Sequence, residues 1–235
     1  MRFRFVLLSA LLLLLGVSAL CISWPQGVLQ ISGDAPVVIV IDPGHGGEDG
    51  GAVSADGLKE SEVNLAIALQ LDQLLGLCGI PALLTRDSDE IAYPDSAVTI
   101  RQRKRADQEY RASLIRNTER AVLLSIHQNK FASGIPKGAQ VFYGNGPGSA
   151  AFAREMQRLL AQLCGDHRKA APISEEIYLM RQATGPAILV ECGFLSNPEE
   201  LELLKTDAYR TKLALVMTAG CFGHYRELEA QYGKS

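Results

Sequence analysis

Short apolar runs alternate along the chain with longer segments of helical periodicity. Residues 37–41 read Val-Val-Ile-Val-Ile, a β-branched run without polar alternation, as in a strand buried on both faces. Between residues 60 and 77, Val63, Ala66, Ile67, Leu71, Leu74 and Leu75 recur at helical spacing, and Gly79 and Pro81 mark the stop. Residues 80–85 read as a second strand. Residues 96–117 are highly charged, with Ile100, Ala106, Tyr110 and Leu114 as a thin apolar stripe, which predicts an exposed helix. A third buried strand (121–126), a shorter strand (138–143) and a helix (150–163) follow. Residues 177–180 and 187–190 read as strands, the latter ending at Glu191, and helices around 198–204 and 208–225 close the chain. Strands alternating with helices predict one α/β domain over 37–228, a largely parallel twisted sheet with helices on both faces, and a tail at 229–235.

The first residues follow another rule. Arg2 and Arg4 precede an uncharged, leucine-rich run over 5–22. A positive start before such a run marks residues 1–22 as an export signal or a membrane anchor. Residues 23–36 contain Pro25, Gly27, Gly33 and Pro36 and read as a linker. The domain is therefore expected outside the cytoplasm, secreted or anchored through 5–22. Apolar residues at 47% and charged residues at 21% fit a globular chain. A net charge of −3 excludes a strongly basic nucleic-acid binder. The five cysteines are widely spaced and form no C-x-x-C pair, so neither a disulfide framework nor a cysteine-held structural metal is expected.

In open α/β sheets, chemistry gathers at the carboxyl ends of strands. The first strand here runs into Asp42-Pro-Gly-His45-Gly-Gly, the third into Ser125-Ile-His127-Gln-Asn129, and the strand at 187–190 into Glu191-Cys-Gly. Glu60 opens the first helix and returns to the same rim if the glycine-rich loop folds back. Two histidines and one or more carboxylates at one rim suggest a catalytic zinc site with a position left open for water. Taken singly, each residue has a plainer reading. His45 is a turn residue, His127 a hydrogen-bonded rim residue, and Glu60 an acid placed favourably in a helix first turn. Glu191 is harder to explain that way, because an unpaired carboxylate after an apolar strand is costly. Periodicity alone does not bring them together.

Five blocks occur in order: Asp42-Pro-Gly-His-Gly-Gly-Glu-Asp-Gly-Gly-Ala52, Glu60-Ser-Glu-Val-Asn64, Thr85-Arg86, Ser125-Ile-His-Gln-Asn129 and Val190-Glu-Cys-Gly-Phe-Leu-Ser-Asn197. In this combination the chain resembles the zinc-dependent N-acetylmuramoyl-L-alanine amidases of the Amidase_3 family, and within it the compact germination-specific, spore-cortex members. The resemblance implies one catalytic Zn2+ held by His45, Glu60 and His127, and Glu191 as the catalytic glutamate. It also implies Asn129, Arg168 and Arg181 as substrate-side residues. The expected reaction is hydrolysis of the amide between the lactyl group of N-acetylmuramic acid and L-alanine in peptidoglycan. Peptidoglycan is then the partner. The resemblance also allows an activator protein, implies no nucleic acid, and involves the membrane only through the N-terminal segment. Two other readings stand beside it: an exported zinc peptidase or deacetylase, and a catalytically silent wall-binding domain. H-E-x-x-H is absent, which disfavours the common zinc-peptidase scaffold, and no expected ligand is missing, which disfavours the silent domain.

Overall fold

The structure is a computed structural model and describes residues 35–174 and 177–232. The leader and most of the linker lie outside the described residues. The elements are β1 (Val38–Pro43), α1 (Glu60–Leu77), β2 (Ala82–Leu84), α2 (Ile100–Asn117), β3 (Ala121–Asn129) and β4 (Gln140–Tyr143). They continue as α3 (Ser149–Cys164), β5 (Ala171–Pro172), α4 (Tyr178–Gln182), β6 (Ala187–Phe194), α5 (Pro198–Leu204) and α6 (Asp207–Tyr232). Six strands form one sheet in the order β2-β1-β3-β6-β4-β5. The neighbours from β2 to β6 are parallel, and β4 runs antiparallel to β6.

The central strands are apolar throughout because both faces are covered. Ile39, Ile41, Leu124, Ile126 and Val190 pack on one face, in a core that takes in α1, α3 and α6. Val40, Leu123 and Leu189 pack on the other with Ile115 of α2 and Met180 of α4. When both faces are apolar, a one-residue slip is not punished by exposing hydrophobes. Polar residues at the strand ends hold the register instead. Asp42 is paired across β1–β3 with Ser125, whose hydroxyl donates to Asp42 Oδ2 at 2.6 Å.

Caps set several helix ends. Thr99 and Gln102 form a reciprocal capping box at the start of α2. The Asn197 side chain accepts from the Glu199 and Glu200 N–H groups, with Pro198 in the first turn of α5.

The structure corrects the sequence reading in several places. Residues 177–180 are not a strand: Tyr178–Gln182 is one short helix, α4. A short apolar run carries no period long enough to separate the two states. The stripe expected on α2 is also displaced. Ile100 and Tyr110 are exposed, and the buried side carries Arg111, Ala112 and Ile115. A charge turned inward hides the amphipathic pattern. β6 continues past Glu191 to Phe194 through a register shift, and β5 had no sequence signal. The last helix runs on to Tyr232, through residues read as tail. Among the described residues, no helix is long and apolar enough to cross a membrane.

Candidate metal centre and catalytic cleft

The chain leaves β1 through Pro43 and Gly44 and turns at His45, which has φ 62°. That left-handed conformation is unusual for a residue with a Cβ and swings the imidazole back over the sheet edge. The loop returns at Glu60, whose N–H donates to Ala52 O at 2.8 Å. This return places the first turn of α1 against the loop. His127 stands near the end of β3, in register with Glu191 of β6.

His45, Glu60 and His127 therefore meet, with donor atoms all within 4.8 Å of one another. His45 Nε2 lies 3.4 Å from Glu60 Oε2, and His127 Nδ1 lies 2.9 Å from Glu60 Oε1. Two ligands about 2.1 Å from a tetrahedral ion stand about 3.4 Å apart, so the spacing suits a small divalent cation. Glu60 is held by the backbone as well. Ala52 N–H donates to Oε2 at 2.8 Å and Gln128 N–H to Oε1 at 3.0 Å. The Gln128 amide sits at the β3–β6 register shift, where bulges often re-aim groups beside active sites. Burial would raise the Glu60 carboxyl, but the His127 hydrogen bond and the two imidazoles outweigh it and hold it at about 2. The carboxylate is thus ionised.

Two glycines are required by this packing. A Cβ on Gly44 would stand 2.2 Å from the His127 ring. One on Gly51, at φ +69°, would stand 2.6 Å from Glu60 Oε2 and 2.7 Å from His45 Cδ2.

Glu191 faces the same cleft as the two histidines, a cavity of about 380 Å³ walled by α2 and by the segment around Tyr178 and Met180. Its Oε2 is buried and accepts no hydrogen bond. Burial is the largest influence on its carboxyl and, with the Glu60 charge, outweighs the two imidazoles and raises it to about 7. A carboxyl poised there can take and return a proton near neutral pH.

The three residues expected on the substrate side, Asn129, Arg168 and Arg181, do not line this cleft. Asn129 ends β3, and its side chain accepts from the Lys130 N–H. Arg168 lies over the Phe194 ring and donates to Lys137 O. Arg181 lines a separate cavity of about 140 Å³ beside Gly144 and Ser174. Lys104 and Arg111 are the lysine and arginine that line the cleft.

Sequence reasoning missed Asp49. Its Oδ2 lies 3.0 Å from His45 Nδ1, and its Oδ1 accepts from Lys104 Nζ at 2.8 Å. A carboxylate on Nδ1 fixes the tautomer that leaves Nε2 free to ligate. The (i, i+4) spacing inside the glycine-rich loop was the available signal. Asp42 stands in the same block as Asp49, and the sequence assigns a role to neither. Asp42 accepts from Thr85, Ser125 and Arg111 beneath the site.

A family model described as N-acetylmuramoyl-L-alanine amidase (Amidase_3) matches residues 39–221. The chain is 35% identical over 206 residues to the germination-specific N-acetylmuramoyl-L-alanine amidase of Bacillus subtilis (strain 168), spanning 87% of this chain and 85% of that one. Among solved structures it is similar to the CwlD amidase from Clostridioides difficile in complex with the GerS lipoprotein. That match has a TM-score of 0.77 at 33% identity and covers 82% of this chain and 99% of the other. The catalytic domain of CwlV from Bacillus (Paenibacillus) polymyxa var. colistinus matches with a TM-score of 0.68 at 28% identity, over 80% of this chain and 97% of that one.

Proposed function

The chain belongs to the Amidase_3 family of N-acetylmuramoyl-L-alanine amidases, and from this membership we propose that His45, Glu60 and His127 hold one catalytic Zn2+ and that Glu191 is the acid–base residue. The reaction is hydrolysis of the amide between the lactyl group of N-acetylmuramic acid and L-alanine in peptidoglycan. The observation that carries the site assignment is the meeting of three side chains of ligating type from β1–α1, α1 and β3 beside the half-buried Glu191.

Two imidazoles and one carboxylate leave a bound zinc ion positive, with an open position at which it would acidify water and polarise the carbonyl. The chain's own residues do the rest. Glu191 takes the proton of the attacking water as oxygen bonds to the lactyl carbon. It returns that proton to the alanine nitrogen as the C–N bond breaks, leaving a carboxylic acid and a free amine. Asp49 keeps the His45 ring oriented, and the Glu60 carboxylate stays in place through its two backbone donors.

Such an enzyme works on the cell wall, outside the cytoplasm. Export through residues 1–22, cleaved or retained as an anchor, belongs to this proposal and lies outside the described residues. The B. subtilis relative is named for germination, and we assign this chain the same setting, spore-cortex peptidoglycan. Mass spectrometry of fragments released from purified cortex and vegetative peptidoglycan is the test. The expected products carry a free lactyl carboxyl and a new N-terminal alanine, disappear with chelator and return with zinc. Peptide-bond or deacetylated products would overturn the assignment.

A further inference from the structure

Two buried arginines grip the backbone of the loop that carries His45. Arg111 of α2 is 3% exposed and Arg86, just after β2, is 9% exposed. Consecutive carbonyls of the loop are their acceptors. Pro43 O accepts from Arg86 Nε at 2.9 Å and from Arg111 Nη1 at 2.7 Å. Gly44 O accepts from Arg86 Nη2 at 3.2 Å, and His45 O from Arg111 Nη2 at 2.6 Å. Arg86 Nη2 also donates to Ser61 O at 2.9 Å. Ser61 follows Glu60, so one guanidinium joins the loop bearing one ligand to the helix turn bearing another. Arg111 is braced in turn: Nη1 donates to Asp42 Oδ1 at 2.9 Å and Nε to Asp107 at 3.0 Å.

Burying guanidinium groups is a poor route to stability, because desolvation offsets most of the attraction to their partners. The planar fork has a different use here. It spans several acceptors at fixed angles, which an ammonium on a flexible stem does not. What the two forks hold is the one strained residue of the ligand set, His45 at φ 62°.

We propose that Arg86 and Arg111 are positioning residues of the metal centre: by holding the carbonyls of residues 43–45 and of Ser61, they keep His45 in its left-handed conformation and set its distance from Glu60. Neither guanidinium belongs to the cluster of ligating side chains, His45, Glu60 and His127. The inference rests on the metal-amidase reading given above, and its test reads metal affinity in addition to turnover.

The experiment compares Arg86→Lys and Arg111→Lys with the wild-type chain. Zinc affinity is measured by competition with a chromogenic chelator, and metal-free stability by thermal unfolding in chelator. The expected result is a folded protein whose zinc affinity falls roughly 10–100-fold, the range for losing an outer-shell partner. Turnover should fall at limiting zinc and recover most of the way at saturating zinc. Should Arg111→Lys fold poorly, Asp107→Asn loosens the same guanidinium without removing it, and a drop of about threefold or more is expected. Variants that lose stability yet bind zinc within about twofold of wild type would make the arginines merely structural and overturn the inference. A wild-type chain that binds no zinc would overturn the metal reading, and this inference with it.

Discussion

Replacing Glu191 by glutamine should move turnover and stability in opposite directions. In the metal-free protein its carboxyl is raised from 4.5 to about 7, chiefly by burial, and Oε2 has no hydrogen-bond donor. That difference corresponds to about 3 kcal/mol between the neutral and ionised forms. Below pH 4.5 the group is neutral in both folded and unfolded chains, and no penalty exists. Between 4.5 and about 7 the unfolded chain ionises first, so stability falls as pH rises, and above 7 the loss is complete. Glutamine is similar in shape to the neutral acid and does not ionise. Glu191→Gln should therefore match wild type near pH 4, exceed it progressively from there to about pH 7, and hold a constant lead towards pH 8.5. For a domain of this size, about 3 kcal/mol is worth at most roughly 6–12 °C in Tm. The assay is thermal unfolding in chelator, followed by circular dichroism across that pH range. On peptidoglycan the same variant should lose about 10²–10⁴ in rate, the usual worth of general acid–base help. Zinc affinity should stay close to wild type. A Tm gap that does not widen with pH would refute the burial argument, and activity within about tenfold of wild type would refute the catalytic role.

Other substitutions probe separate parts of the structure. Gly51→Ala drives a Cβ into Glu60 and His45 at a positive φ, so bound zinc, read by elemental analysis, should fall sharply while the far-ultraviolet spectrum is kept. Asp42→Asn leaves Arg111 short of its buried counter-charge and should cost about 3–5 kcal/mol in urea unfolding at pH 7. Burial alone would raise the Asp42 carboxyl, but Arg111 and the Ser125 and Thr85 hydroxyls hold it below its ordinary value. The wild-type chain should therefore lose this stabilisation as pH falls below about 4, and the gap to Asp42→Asn should narrow there. Thr99→Ala removes the capping box at the start of α2 and should lower stability by about 1 kcal/mol, with turnover unchanged in the peptidoglycan assay.

Local pattern settled a great deal about this protein. β-branched runs buried on both faces marked the central strands, and the periodicity over 60–77 matched α1 to the residue. The helix expected around 198–204 is α5 with the same bounds. The chemical residues were visible singly at strand ends and a helix start, and the resemblance carried by the five blocks in order is what implied a ligand set. Pattern failed where the deciding contact was distant. Residues 178–182 form a helix instead of the expected strand, with Met180 packed among Val40, Leu123 and Leu189 of the sheet. Arg111 is buried on a helix that reads as exposed, because its acceptors lie on β1 and the following loop. The grip of Arg86 on Ser61, and of Asp49 on His45, depends on the path of the glycine-rich loop. Only the tertiary structure decided that two imidazoles and a carboxylate share one space with a half-buried acid. Periodicity records which face of an element is apolar, whereas convergence depends on strand order and loop closure, which bring together side chains far apart in sequence.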